Sequence, residues 1–418
     1  MSVAAWPDGS AELLRPLLVA VPALLVTVLA RRYRLQPRML VAALFSLLFL
    51  CGTLPVLHLL AEWLGWWHAH TTLLVLLGLP ADLWLGWALL WGPVVFLAFP
   101  RVPSWWLAIV AAPLNLLTLL GLAPLVQTGP GAAAGMVLAI VFLLWPAQQL
   151  ARWTADDRRL PWRATLLAIA YGGVAFLLLP SAIMKAMGGS WTQVLLWPAW
   201  VLVPALLMLA ICIVVGLSAV QLFVLHGEGT PIPLDHTRRL VRTGLYAYLT
   251  NPMQACTALA WLVLGLLLRN AWVALAAVMA VVFVQGLVRW HHRLDLAVRF
   301  PQGWSEYRQH VPDWWPRRQL WAPAVAIVRC DPRRWRHWPL RWIARRTWPG
   351  LRFEQGEHAL YLAPEEGRAF HGLAVLAKAL NHAGFAAAVV GAGLLLVALP
   401  CQAFASALAR PTLPASSQ

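Results

Sequence analysis

The chain has 418 residues, of which 61% are hydrophobic and 11% charged, with a formal net charge of +16 and a mean hydropathy of +0.69. Soluble domains carry roughly 25% charged residues, so this balance excludes an ordinary globular protein and points to an integral membrane protein. The positive charge does not mark a nucleic-acid binder: the basic residues fall mainly between apolar runs, the pattern of membrane topology and of attraction to anionic lipids.

A membrane span needs about 20 apolar residues. Runs of that kind cover 13–30, 39–61, 82–99, 105–126, 132–149, 164–187, 194–224, 253–268, 271–288 and 383–401. Arg15 interrupts the first run and no small-residue cleavage site follows it, so that run reads as a retained first span. The stretch 71–80 is apolar but short, either a re-entrant piece or an extension of the third span. The expectation is an all-α, polytopic membrane protein with about ten transmembrane helices and a cytoplasmic segment rich in Arg and Trp. Residues 1–190 form an N-terminal transmembrane bundle in this scheme, and 191–318 form a second membrane domain. Residues 319–381 form a cytoplasmic or interfacial segment, 382–405 hold a last span, and 406–418 are a disordered Pro/Ser-rich tail.

Orientation follows from the short loops. With the N-terminus outside, Arg31, Arg32, Arg34, Arg38, Arg101, Arg152, Arg158, Arg159, Arg163, Arg238, Arg239 and Arg242 all lie inside, whereas Arg15, Lys185, Arg269 and Arg410 lie outside. That asymmetry puts 227–253 on the cytoplasmic side, the expected setting being a bacterial inner membrane. The 26 Trp residues gather near span ends, as in GWWHAH and PDWWPRR, and read as interfacial belts. DPRRWRHWPLRWIARR is suited to lie on anionic membrane lipids.

Cys51, Cys212, Cys256, Cys330 and Cys401 show neither a disulfide framework nor metal-ligand spacing, and His68 and His70 lack a third ligand, so no metal is expected. Asp82, Asn115, Gln148, Gln149 and Lys185 lie in or near apolar runs, where ionisable or polar groups are candidate functional residues. Asp82 and Lys185 sit close enough to span ends to reach an interface.

The stretch 227–253, GEGTPIPLDHTRRLVRTGLYAYLTNPM, is the one large polar segment within the first 290 residues. Gly227, Gly229, Pro231 and Pro233 preclude a regular helix at its start. Two spans follow with almost no loop between them at Arg269–Asn270, forming a helical hairpin. The hairpin ends in RWHHRLDLAVRF, an amphipathic run suited to leave the membrane along its surface. Segments on either side of the hairpin therefore return to one side of the membrane.

These residues resemble the signature of the isoprenylcysteine carboxyl methyltransferase family, a group of membrane methyltransferases with phospholipid methyltransferase relatives. The first element of its pattern is matched by Gly227, Gly229, Thr230, Pro231, Pro233, Leu240, Val241, Gly244, Tyr246, Asn251, Pro252 and Met253. The second is matched by Phe300, Trp304, Tyr307, Val311 and Pro312, and the resemblance covers about 205–318. It implies that the two elements close over S-adenosylmethionine at the cytoplasmic face while a lipid-like or lipid-anchored methyl acceptor arrives from the bilayer. Gly244, Tyr246, Asn251, Pro252, Met253 and Tyr307 are the cofactor-binding residues so implied, the two tyrosines as stacking or cation–π partners. Transfer of a methyl group from a sulfonium needs positioning and exclusion of water more than acid–base machinery.

The chain departs from the pattern at four places. Thr250 stands where the family has Arg or His before Asn-Pro, Gln254 where it has Tyr, and Pro301 where it has Gly. Its Glu residues before the second element are replaced by His291, His292 and Arg293, with Asp295 the nearest carboxylate. His291 and His292 either take over as catalytic proton acceptors, since histidine titrates near neutral pH, or are interfacial polar residues. The expected function is a membrane-embedded S-adenosylmethionine-dependent methyltransferase. The alternatives are a catalytically impaired member serving as a lipid-binding or scaffold protein, or a transporter.

Overall fold

Long runs of Leu, Val and Ala fold as helices because a helix satisfies its backbone N–H and C=O groups within the segment, leaving an apolar surface. The computed structural model describes the chain except residues 1–9, 34–35, 71–74, 77–78, 123–124, 231, 233, 236, 332, 335–336, 365–368 and 409–418. The side chains of 10–14, 76, 79, 287, 291–293 and 399–408 also lie outside that description. The protein is 71% helical and divides into two compact units, Met1–Ser190 and Trp191–Gln418.

The first unit contains α1 (Ser10–Arg32), α2 (Pro37–Trp63), α3 (Ala81–Ala98), α4 (Ser104–Gly121), α5 (Ala132–Ala155) and α6 (Leu160–Met187). Its strands are short. β1 (Trp67–Ala69) pairs antiparallel with β4 (Val126–Thr128), and β2 (Val75–Leu76) with β3 (Leu79–Pro80). The 71–80 stretch, expected as a re-entrant piece or a span extension, thus carries a two-stranded ladder, although 71–74 lie outside the described residues.

The second unit opens with a 3-10 turn, Trp191–Leu196, and α7 (Ala199–Gly227) begins only after Pro198. It continues through α8 (Pro252–Leu267), α9 (271–299), α10 (Pro301–His310), α11 (Trp338–Ala344), α12 (Leu373–Leu380) and α13 (Phe385–Leu408). Among the described residues, α2 to α7 are long and apolar enough to cross a membrane; α8, the first part of α9 and the first part of α13 are shorter apolar helices. Six such helices are compatible with a membrane protein.

The polar residues inside the apolar runs of the first unit serve the helices themselves. Pro93 lies in a π turn of α3, where the Val95 N–H bonds to the Leu90 and Gly92 carbonyls and not to Trp91. Gln148 Nε2 donates to the carbonyls of Trp91 and Gly92. Trp91 Nε1 donates to Asn115 Oδ1 at 2.7 Å, and Arg15 pairs with Asp82 at 3.2 Å. Each contact supplies a partner that water cannot provide there.

In the second unit the RWHHRLDLAVRF run does not form a separate surface helix. It continues the second arm of the hairpin, so that α9 is unbroken through π turns at Val284–Val288 and His292–Leu296. The reversal between the arms is tight. Arg269 adopts φ +49°, and the Asn270 side chain caps α9 by accepting from the Val273 N–H at 3.0 Å.

Residues 319–381, expected as a cytoplasmic or interfacial segment, hold a four-stranded sheet in the order β6 (Leu351–Gln355), β5 (Ala326–Cys330), β7 (Leu360–Leu362) and β8 (Ala369–His371). β5 and β6 run parallel with α11 in the crossover, as parallel neighbours require a helix-sized connection. Ala326, Val328, Cys330, Tyr361 and Phe370 bury one face against α12 and α13. The run 331–346, read as suited to anionic lipids, falls in the connection between β5 and β6 that holds α11, while on the strands themselves Arg329 pairs with Glu354 at 3.0 Å.

The hairpin depends on Gly265, where an added Cβ would lie 2.4 Å from the Ala274 backbone nitrogen. We expect Gly265→Val to force α8 and α9 apart and cost about 1–3 kcal/mol, read as a lower thermal unfolding midpoint of the detergent-solubilised protein. Gly286→Val, with open space at the same distance, should leave the midpoint near that of wild type.

Candidate functional site

The end of α7 shapes the loop that follows. Glu228 takes a left-handed conformation at φ 54° and stops the helix. The loop then folds back over Gly227, where any Cβ would meet Thr237 and Val241 side-chain atoms at 2.9 Å. The Gly227 carbonyl accepts from the Arg238 N–H at 2.6 Å and the Arg239 N–H at 3.2 Å. Pro231 and Pro233, matched to the family pattern, lie outside the described residues. Gly244 opens a 3-10 turn, Gly244–Ala247, at φ +61° with the Leu222 side chain beneath it. A side chain at that position would be strained as well as crowded.

The two elements on either side of the hairpin meet. Tyr307 Oη donates to the Tyr246 carbonyl at 2.8 Å, and the Thr250 N–H donates to the Pro312 carbonyl at 2.9 Å. Asp313 joins the rest. It accepts from Thr250 Oγ1 at 2.7 Å, from Arg308 Nη2 at 3.1 Å and from Arg289 Nη2 at 3.3 Å, with Arg308 Nη1 also bonded. Asn251 Nδ2 donates to Thr250 Oγ1 at 3.0 Å. Thr250, which replaces a basic residue of the family pattern, therefore has a guanidinium beside it after all, supplied by Arg308 from the second element.

The cofactor-binding residues implied by the resemblance come together, but mostly as framework. Tyr246, Asn251 and Tyr307 are buried. Pro252 and Met253 start α8, and Met253 packs on the cluster that contains Tyr246. Phe223 meets the Tyr246 ring edge-on at 5.3 Å between centroids. Burial pushes both phenols well above their ordinary titration range, so each stays protonated and neither serves as a base near neutral pH. His291 and His292 lie in α9, and their side chains are outside the described residues.

Of that set Gly244 lines an open space. It borders a narrow cleft of about 40 Å³, whose walls include Arg242, Thr243, Trp321, Tyr361, Asn381 and His382. Thr243 Oγ1 and Asn381 Oδ1 are buried there without a hydrogen-bond partner among the described residues. Arg242 lies over the Trp321 ring at 5.7 Å. Tyr361 Oη and His382 Nε2 are 3.2 Å apart, and His382 Nδ1 faces the Pro349 carbonyl at 3.0 Å. A cation, two unspent polar oxygens and aromatic side chains thus meet at one narrow cleft, where the buried oxygens call for a hydrogen-bond donor.

Trp321, Tyr361, Asn381, His382 and Asp313 were not singled out in the sequence. They lie beyond the matched pattern or at its edge; backbone pairings bring 312–321 to the 244–253 loop, and Tyr248 Oη donates to the Asn381 carbonyl at 2.7 Å. The Trp321 N–H donates to the Ala247 carbonyl and the Arg317 N–H to the Tyr248 carbonyl, both at 3.1 Å. Among the described residues no group of three or more metal-ligating side chains converges. No family model, curated protein or solved structure matches the chain.

Burial pushes the Asp313 carboxyl up, but the bonds from Arg308, Thr250 and Arg289 outweigh it and hold the group at about 2, below its ordinary 3.8. Because the folded value is depressed, the contribution of Asp313 to stability is present above pH ~4 and is lost as pH falls from there towards 2. We expect Asp313→Asn to lower the unfolding midpoint at pH 7, and the gap to wild type to close as pH is lowered through that window. A gap independent of pH would show that the ionised carboxylate is not what stabilises the contact.

Proposed function

We propose that the second unit is an S-adenosylmethionine-dependent methyltransferase domain facing the cytoplasm, acting on a lipid-like or lipid-anchored acceptor and belonging with the family its signature resembles. The protein as a whole is then a multi-pass protein of the bacterial inner membrane, in which the shorter apolar helices and α1 bring the spans to about ten. The observation that carries this reading is the meeting of the two signature elements through Tyr307–Tyr246 and Thr250–Asp313, on either side of a hairpin, beside a cleft with unspent polar atoms.

The cleft suits this cofactor by its donor set. The Arg242 guanidinium would take the carboxylate of the amino-acid end, Thr243 Oγ1 and Asn381 Oδ1 would accept or exchange hydrogen bonds with amine or ribose groups, and Trp321 with Tyr361 would flank the base. When bound, S-adenosylmethionine supplies an electrophilic methyl group on a positively charged sulfur. Gly244 leaves room at the cleft wall, and the protonated, buried Tyr246 and Tyr307 keep their stretch of backbone closed to water. His291 and His292 are assigned the proton from the acceptor, at a pH where imidazole can take it.

A second reading, a lipid-binding or scaffold protein without turnover, draws on the burial of Tyr246 and Tyr307 and on the loss of the family's Glu residues. Equilibrium binding of radiolabelled S-adenosylmethionine to the purified full-length protein in detergent separates binding from its absence. Transfer of label into an organic lipid extract separates turnover from binding alone. We expect Arg242→Gln to weaken cofactor binding about tenfold, as loss of a charge-assisted hydrogen bond would. No binding by wild type at high micromolar cofactor would overturn the assignment.

A further inference from the structure

On the other side of Arg242 lies a second, wider space. Arg238, Arg239, Leu240, Arg242, Phe300, Pro301, Gln302 and Gly303 line an open groove of about 420 Å³ between the loop after α7 and the start of α10. Three guanidinium-bearing residues and no carboxylate contribute to its lining. Acidic partners stand at the rim: Glu228 pairs with Arg239 at 3.1 Å and Glu306 with Arg242 at 3.8 Å.

The groove is built, not incidental. The Gly227 carbonyl holds the backbone of Arg238 and Arg239, and the Arg299 guanidinium bonds to the Thr237 carbonyl, tying α9 to the loop. Gly303 leaves the floor open, its missing Cβ 3.6 Å from Leu240 and 3.9 Å from Arg242 Nη1. On α9, which leads into Phe300 of the lining, Trp290, Leu294 and Val298 recur at four-residue spacing with 59%, 59% and 71% of their surface exposed. An exposed apolar helix face that runs into a cluster of arginines is the arrangement that rests in the acyl boundary of a bilayer while its cations meet phosphates.

We propose that this groove binds the phosphate of an anionic phospholipid headgroup, with the lipid's chains against the Trp290–Leu294–Val298 face. The occupant is a lipid and not a free anion because α9, which carries this exposed apolar face, leads directly into Phe300 of the groove lining; inorganic phosphate would use only the cationic groove. A lining whose charged side chains are all guanidinium favours a net anionic lipid over a zwitterionic one, whose own ammonium group the arginines would repel. This site does not depend on methyl transfer, and it uses Arg238 and Arg239, which take no part in the cofactor cleft.

The test uses the full-length protein, stripped of lipid in a neutral detergent and titrated with short-chain phosphatidylglycerol, phosphatidylcholine of equal chain length, and inorganic phosphate. Binding is read from tryptophan fluorescence and from the shift in thermal midpoint. Phosphatidylglycerol should bind tightest, and Arg238→Gln and Arg239→Gln should each weaken it about fivefold, the worth of one arginine near an anionic surface. Gly303→Phe, which fills the groove without changing charge, should abolish the preference for phosphatidylglycerol while the ligand-free midpoint stays near wild type. Equal affinity for the two lipids would overturn the proposal, as would unchanged binding in both arginine variants. Inorganic phosphate that binds as tightly as phosphatidylglycerol and displaces it would reassign the groove to a free anion. Loss of lipid binding with S-adenosylmethionine binding intact, or the reverse, tells the failure of one site from that of the other.

Discussion

A carboxylate taken out of water is stable only if cations and donors replace the hydration it loses. Asp313 meets that condition by drawing on three parts of the chain: Thr250 just before α8, Arg289 on α9 and Arg308 on α10. Those residues lie on both sides of the hairpin, so the contact closes the loop that the hairpin opens. Removing one partner would leave the others half-satisfied in a half-buried place, which is why such networks hold as a unit. The backbone pair between Thr250 and Pro312, and the bond from Tyr307 to the Tyr246 carbonyl, add directional contacts to that charge cluster.

This framework decides which atoms remain available for chemistry. Asn251 and Tyr307 are consumed by packing and by bonds to neighbouring segments, and Tyr246 gives its carbonyl to Tyr307 while its buried hydroxyl has no hydrogen-bond partner among the described residues. Availability passes to their neighbours. Thr243 and Asn381 keep an unspent oxygen each, and Arg242 stands between the narrow cleft and the wider groove. The small sheet of β5 to β8 matters here because the lead-in to β5, strand β7 and the turn after α12 supply the cleft's far side.

The polar residues embedded in the first unit serve a different end. Gln148 answers the Trp91 carbonyl, which the Val95 N–H passes over in the π turn at Pro93, and Asn115 receives the Trp91 indole N–H. Neither needs a transported ion to account for it. Arg15 and Asp82, separated in sequence, neutralise one another across α1 and α3.

The sequence by itself determined that the protein is helical and apolar enough for a membrane, where the hairpin turns, and that the loop before it is shaped by glycine. Those features follow from local properties: the length of apolar runs, the Arg269–Asn270 break between two of them, and Gly227 and Gly244 at positions that admit no side chain. The strands of 326–371 also carried an alternating pattern, as in AIVRC and LRFEQ, but each is three to five residues long and sits among Arg and Trp, where a surface segment has the same composition. Only the tertiary structure decided that these strands form a sheet, that Arg308 stands beside Thr250, and that Asn381 and Trp321 border the cleft. Those are pairings between residues tens of positions apart, set by which backbone groups and charges can satisfy one another once the chain has folded, and periodicity along the chain carries no record of them.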